Sequence, residues 1–348
     1  MQRPFMDLMA LFPDETQVSR RRWFSYSGGY MSMESPIEEP EEFRNELHSP
    51  FGRLVRGLFY RLAVLPIFAA LVAVGLTYLR THPAPIPPGP DPQSASVFYE
   101  NVNLQTDDNV RLDAWLVPAL DPQQVLTQGD QALQGHRPAV ILVHGFAQSR
   151  QQVLPLIKPL HDRGYVVLAI ETRGSNSTSQ VGETFGLNEA QDVAAGVQFL
   201  AHRTSVDPSR IAIVGVGAGA SAALLAAEHQ GKLAALVLDA PPETGKEMFD
   251  SHVVPNSAPL NWIAPLCRWT FEIGYGVNLY DLNLEQYARV IASRPTLLIR
   301  AQDDAENDLS SDRVQQIVAF LSGPLENIPV AANTAPAVNA AQANTGQQ

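Results

Sequence analysis

Residues 211–220, IAIVGVGAGA, are where this chain comes nearest to a chemical motif. A β-branched run, a glycine-rich turn and the alanine-rich residues 221–229 predict a strand, a sharp turn and a helix. Such a turn serves two chemistries. The N–H groups that open a helix bind anions. Gly215-Val-Gly217-Ala-Gly-Ala220 satisfies the G-x-G-x-x-G/A pattern of a dinucleotide-binding turn, with Asp239 at the end of the next apolar run as the candidate ribose acid. The other chemistry is nucleophilic: a serine at the middle of the turn, position 217, would be held out to attack a carbonyl. The residue there is Gly217, which has no side chain to attack with.

Other segments supply the surroundings. Residues 139–146, AVILVHGF, form an apolar run that ends in His144-Gly145, and residues 164–171, GYVVLAIE, lead into Arg173-Gly174. Residues 185–193, FGLNEAQDV, open a helix through Glu189 and Asp192. Residues 236–242, LVLDAPP, and 295–304, PTLLIRAQDD, predict two later strands, and residues 98–118 predict an antiparallel hairpin. The runs at 140–143, 166–170 and 236–238 are continuously apolar, as strands buried on both faces require. In this order the segments resemble the α/β-hydrolase superfamily, in its serine aminopeptidase and acyl-esterase branch, over about residues 97–322.

The resemblance implies an α/β fold: a mostly parallel, doubly wound sheet with an N-terminal antiparallel hairpin and a cap at 240–294. It also implies a G-x-S-x-G elbow with its nucleophile at 217, backbone oxyanion donors at Phe146 and Ala218, and an acid at Asp304 beside Asp303. The base should follow that acid. The chain's histidines are His48, His82, His136, His144, His161, His202, His229 and His252, so none follows Asp304. Nucleophile and base are both missing, and no catalytic residue is assigned. Gly217, Asp304, Phe146 and Ala218 are vestigial positions. An elbow nucleophile sits at φ > 0, costing of order 1–3 kcal/mol for a residue with a side chain, and glycine adopts that geometry freely. Two other readings stand beside this one. One is a hydrolase with a displaced nucleophile, Ser175, Ser177 or Ser221, served by His252. The other is a dinucleotide module on the Gly215-Gly217-Ala220 turn, disfavoured because the turn lies mid-sheet, where the hydrolase order expects the elbow.

A net charge of −12 over 348 residues argues against nucleic acid as a partner. Cys267 is the only cysteine, so neither an intrachain disulfide nor a cysteine-based metal site is expected. The histidines are scattered, and no metal or cofactor is expected.

Residues 62–79, from Leu62 to Leu79, are uncharged and mostly apolar, and as a helix they span roughly 27 Å, about one hydrocarbon core. Arg44, Arg53, Arg56 and Arg61 precede the run, whereas after Arg80 the next basic residue is Arg111. The positive-inside rule then predicts a single-pass anchor with a cytoplasmic N-terminus and an extracytoplasmic domain. The predicted organisation is a largely disordered segment at 1–61, a transmembrane helix at 62–80, a proline-rich linker at 81–96, the hydrolase-like domain at 97–322 and a disordered tail at 323–348. The aromatics of the cap are expected to pack. The functional expectation is a membrane-anchored, catalytically inactive accessory or scaffolding subunit, whose partners are the bilayer and another membrane protein or complex.

Overall fold

The computed structural model describes residues 50–84, 86–87, 89–119, 126–127, 136–175, 181–230, 233–254, 261–300 and 309–326. The expectations for 1–49 and 327–348, and those for Ser177, Asp303 and Asp304, lie outside the described residues. The chain divides into two compact units, 1–68 and 69–348.

The first element is α1, Pro50–Thr81. It starts twelve residues before the apolar run, at Pro50, a residue tolerated in a first helical turn, and it carries Pro66 inside it. Among the described residues it is the one helix long and apolar enough to cross a membrane by length and composition, over Arg53–Thr81.

In the second unit β1 (Glu100–Gln105) and β2 (Arg111–Val117) form the expected hairpin. Then come β3 (Arg137–Val143), α2 (Leu154–His161), β4 (Val166–Ile170) and α3 (Glu189–Ala201). The elbow segment is β5 (Val206–Val216) followed by α4 (Ala218–His229), and β6 (Ala235–Asp239) follows. The cap supplies α5 (Gly245–His252), α6 (Ala264–Tyr275) and α7 (Ala288–Ala292) before β7 (Thr296–Ile299) and the last helix, α8 (Ser311–Leu325).

The seven strands lie in the order β1-β2-β4-β3-β5-β6-β7. The β1–β2 and β2–β4 pairs are antiparallel and the rest parallel. Apolar side chains alternate between the two faces. Ile141, Leu168 and Ile213 pack under α3 and α4, while Val140, Val167 and Val214 pack with Leu156, Ile157 and Ile317 of α2 and α8. This is the doubly wound, mostly parallel sheet that the resemblance implies, with the apolar runs buried on both faces.

Both edges of the domain reach beyond 97–322. Leu325 is fully buried, and Tyr165 donates its hydroxyl to Glu326 Oε1 at 2.8 Å, so the last helix continues past residue 322. At the other edge, Thr81 is buried, and Asp91 caps a short 3₁₀ turn while accepting the Tyr99 hydroxyl at 3.0 Å. The proline-rich segment is therefore held at both ends and is not a free spacer.

Candidate functional site: the elbow pocket

Gly217 sits at φ 55°, ψ −117° between β5 and α4. L-residues are disfavoured at this φ, so the turn keeps the nucleophile's backbone conformation with no side chain on it. The flanking glycines are required by proximity. A Cβ on Gly219 would stand 2.6 Å from the Val143 carbonyl oxygen, and one on Gly215 would meet the Gly219 backbone. The close approach presses the first turn of α4 against the end of β3, so Gly145, Phe146 and Ala218 line one pocket. Both expected oxyanion positions, Phe146 and Ala218, are thus brought together beside Gly217.

The pocket is nearly filled. Its volume is about 10 Å³, room for one water. Phe146 and Phe185 both line it, their rings tilted by 34° with centroids 4.5 Å apart, and Phe249 and Phe271 continue the aromatic cluster beside Phe185. Gly186 seats its loop on α4, where a Cβ would lie 2.7 Å from the Ala218 carbonyl oxygen. Three non-glycine residues with positive φ belong to this neighbourhood: Ala147 at 53°, Phe185 at 59° and Ala240 at 51°. Each such residue costs of order 1–3 kcal/mol and persists only where the surroundings enforce it.

Most of the polar groups are committed. Thr172 N–H lies 3.2 Å from His144 Nε2, so that nitrogen accepts, and the ring proton sits on Nδ1, 2.9 Å from the Gly145 carbonyl. The 3.6 Å approach of Glu171 to the same Nε2 is therefore not an ion pair of a protonated ring. Ser175 donates its one proton within a pair of acceptors, Glu171 Oε1 at 2.9 Å and the Thr172 carbonyl at 2.6 Å. Ser221 is 1% exposed and its Oγ has no partner. Glu189 accepts from Thr184 N–H, Thr184 Oγ1 and Gly186 N–H at 2.6, 2.7 and 2.8 Å, which locks the loop carrying Phe185.

Glu183 is the residue that sequence reasoning missed. It lines the pocket, accepts Ala147 N–H on Oε2 at 2.9 Å, and buries Oε1 without a partner. Burial pushes its carboxyl well above the ordinary range against the pull of the Ala147 bond, and the charges of Glu189 and Glu171 add to the rise. A single glutamate in a polar stretch gives no sequence signal of burial.

His252 comes from α5 to the mouth, its ring 5.0 Å from that of Phe146 and 5.9 Å from that of Phe185. Its Nδ1 lies 2.9 Å from the Met248 carbonyl, which can only accept, so Nε2 is the basic nitrogen. Asp239 ends β6 with its carboxylate fully buried and Arg313 Nη1 3.4 Å away. Burial raises its pKa and Arg313 opposes the rise.

Behind the pocket, Arg173 donates to both Asp192 and Asp108, at 2.7 Å and 2.6 Å. Burial works against its charge, the bonds to the two carboxylates more than offset this, and the net shift is upward. Arg173-Gly174 thus fixes the turn after β4. Among the described residues no group of three or more His, Cys, Asp or Glu side chains is placed to hold a metal ion. A second cavity of about 520 Å³, lined by Asn188, Gln191, Leu225 and Tyr287 among others, shares no residue with the elbow pocket.

The cap aromatics divide. Phe271 is buried as expected, whereas Trp262 and Trp269 are 62% and 59% exposed.

Residues 151–311 match the model of the prolyl oligopeptidase family. An uncharacterized protein of Mycobacterium tuberculosis is 33% identical over 190 residues, which cover 52% of this chain and 62% of that protein. The uncharacterized protein YfhR of Escherichia coli O157:H7 is 28% identical over 255 residues, covering 68% of this chain and 84% of YfhR. A second Mycobacterium tuberculosis relative is spanned over 50% of its length, so the chain covers about half to three-fifths of these two relatives. Among solved structures, the Pyrococcus furiosus esterase Pf2001 superposes with a TM-score of 0.51 at 19% identity, covering 69% of this chain and 98% of the esterase. Strand order, elbow geometry and the likeness to the esterase agree: the chain has the α/β-hydrolase fold.

Proposed function

We propose that this protein is a membrane-anchored α/β-hydrolase-like subunit that works by binding rather than by catalysis. The observation that carries the reading is the backbone of Gly217: nucleophile geometry with nothing on it to attack. The tight pocket supports it, since about 10 Å³ of free space holds a water and not an acyl group in this arrangement of side chains. The retained strain at Ala147 and Phe185 fits a shape that still matters. The same small space speaks against a pyrophosphate at the glycine-rich turn. Incubating the full chain in mild detergent with a fluorophosphonate probe should leave it unlabelled. Stoichiometric labelling of a serine would reverse the reading.

The arginines before α1 support an extracytoplasmic domain, with another membrane protein or complex as the partner. Protease added outside spheroplasts should digest the chain beyond residue 83 and spare the first fifty residues. A protected C-terminal domain would overturn this orientation.

One observation favours a second reading, a hydrolase with a displaced nucleophile: His252 lies against Phe146, where a base would be useful. Against it, the Ser175 proton is already committed and Ser221 is shut away from solvent. Affinity purification from native membranes separates the readings, because a stoichiometric protein companion is expected only of the first.

A further inference from the structure

We infer that the cap helix α6 lies in the bilayer interface beside α1, with Trp262, Trp269 and Ile273 turned toward lipid. The inference rests on the reading of α1 as a membrane span.

The first observation is the docking of α1. Ala69, Ala73, Thr77 and Thr81 are all buried, and residues four apart share one face of a helix. This small-residue stripe meets the cap within one compact unit. Thr77 Oγ1 lies 3.3 Å from Thr270 Oγ1 and 3.4 Å from the Cys267 carbonyl, and Thr81 Oγ1 lies 2.6 Å from the Tyr275 hydroxyl. Small residues with threonine hydroxyls are what close packing of helices in lipid uses.

The second is the length of the apolar run. Between Arg61 and Arg80 there are 18 uncharged residues, enough for one hydrocarbon core and no more. Sliding the span toward the N-terminus would draw Arg61, and then Arg56, into the membrane, which is costly. The span is thereby fixed, and Ala69, Ala73 and Thr77 of the docked stripe fall within it, with Thr81 just past its end. Thr77 lies three residues before Arg80, about 4.5 Å along the helix axis. Whatever is bonded to Thr77 shares its depth, and that is α6.

The third is the free face of α6. Pro265, Trp269 and Ile273, again four residues apart, are exposed, Ile273 at 64%. This stripe is next to the Leu266–Thr270 edge that faces α1. Trp262 extends it before the helix begins. The charged residues of α6 are turned to other tasks: Arg268 donates to both oxygens of Asp250 at 2.7 Å, and Glu272 accepts Leu279 N–H at 3.1 Å. Exposed tryptophans at the depth of a helix end are the mark of the headgroup interface.

The test uses the full chain in phosphatidylcholine vesicles. The chain has four tryptophans, Trp23, Trp115, Trp262 and Trp269, and Trp115 is buried in the sheet's core. In Trp23→Phe, vesicles with brominated acyl chains should quench emission. That quenching should be lost when Trp262→Phe and Trp269→Phe are added. Resistance to alkaline carbonate is scored on the same vesicles. A carbonate-resistant protein whose tryptophans are quenched by aqueous iodide and not by brominated lipid would overturn the inference while leaving the anchor intact. Shielding from both quenchers would also overturn it, pointing to a second copy over the stripe. Extraction by carbonate would remove the anchor reading itself, and this inference with it.

Discussion

Glu183 Oε2 accepts the Ala147 N–H at 2.9 Å while Glu183 Oε1 is buried with no partner, beside a turn whose nucleophile position is glycine. A carboxyl in that setting resists ionisation, because burial raises its pKa well above the ordinary value near 4.5. Raising a carboxyl pKa in the folded state makes folding compete with ionisation. The stability is therefore fully present below the unfolded value and lost as pH rises through the folded one. Glu183→Gln keeps an acceptor for Ala147 and removes the ionisation. It should melt with the wild type at pH 4 and above it at pH 8, one pKa unit being about 1.4 kcal/mol. Equal melting at both pH values would show that Glu183 ionises freely.

Gly217→Ser restores the hydrolase motif on paper. Its φ of 55° should make any side chain cost roughly 1–2 kcal/mol of stability. Ester hydrolysis should stay at background, because an unassisted hydroxyl is a poor nucleophile at neutral pH. Denaturation midpoints and turnover of a simple ester check both. Full activity in this variant would mean that His252, or another base, completes a working site.

The docking of α1 predicts a sharp contrast between adjacent residues. Ala73 is fully buried in the stripe and Val74 is 52% exposed. Ala73→Leu should overpack the contact and cost about 1–3 kcal/mol, whereas Val74→Leu should be neutral. Thermal unfolding of the full chain in one detergent is the measurement. Equal tolerance of both would mean that α1 is not held against the cap.

The two carboxylates on Arg173 should be unequal. Asp192 is fully buried, whereas Asp108 is 38% exposed. Asp192→Ala should cost on the order of 3–5 kcal/mol by leaving buried charge underpaired, and Asp108→Ala about 1 kcal/mol. The Arg173 hydrogen bond holds the Asp108 pKa below its ordinary value despite partial burial. Its contribution is present above the unfolded value and fades as pH falls through the folded one, so the gap between wild type and Asp108→Ala should close in acid. Urea unfolding of both variants at pH 7 and pH 3 distinguishes them.

The fold was legible because its strands are continuous apolar runs punctuated by His144-Gly145, Arg173-Gly174 and the glycine-rich elbow. The conformation of Gly217 was legible because only one position of such a turn needs φ > 0. Glu183 was not, since burial of a lone carboxyl depends on the loop of Phe185 and Gly186 closing over it, a tertiary event. Aromatic content does not reveal which face of α6 is covered, so it predicts packing for Trp262 and Trp269 as it does for Phe271. The docking of α1 was hidden for a related reason: an apolar helix has one composition whether it meets lipid or protein. The available signal was Ala69, Ala73, Thr77 and Thr81 at intervals of four, within a run otherwise rich in larger aliphatic residues.

The Thr81 carbonyl accepts the N–H of Glu183 at 2.8 Å, and Ala73 packs in one cluster with Phe185, Phe249 and Phe271. The last turns of α1 are thus part of the wall of the domain. A secreted or recombinant form that began at residue 82 would not be a freed globule but an unroofed one, its aromatic interior open to water. Truncation there would strip the cap's aromatic cluster of the helix that covers it, while the two clusters on the faces of the sheet keep their own residues.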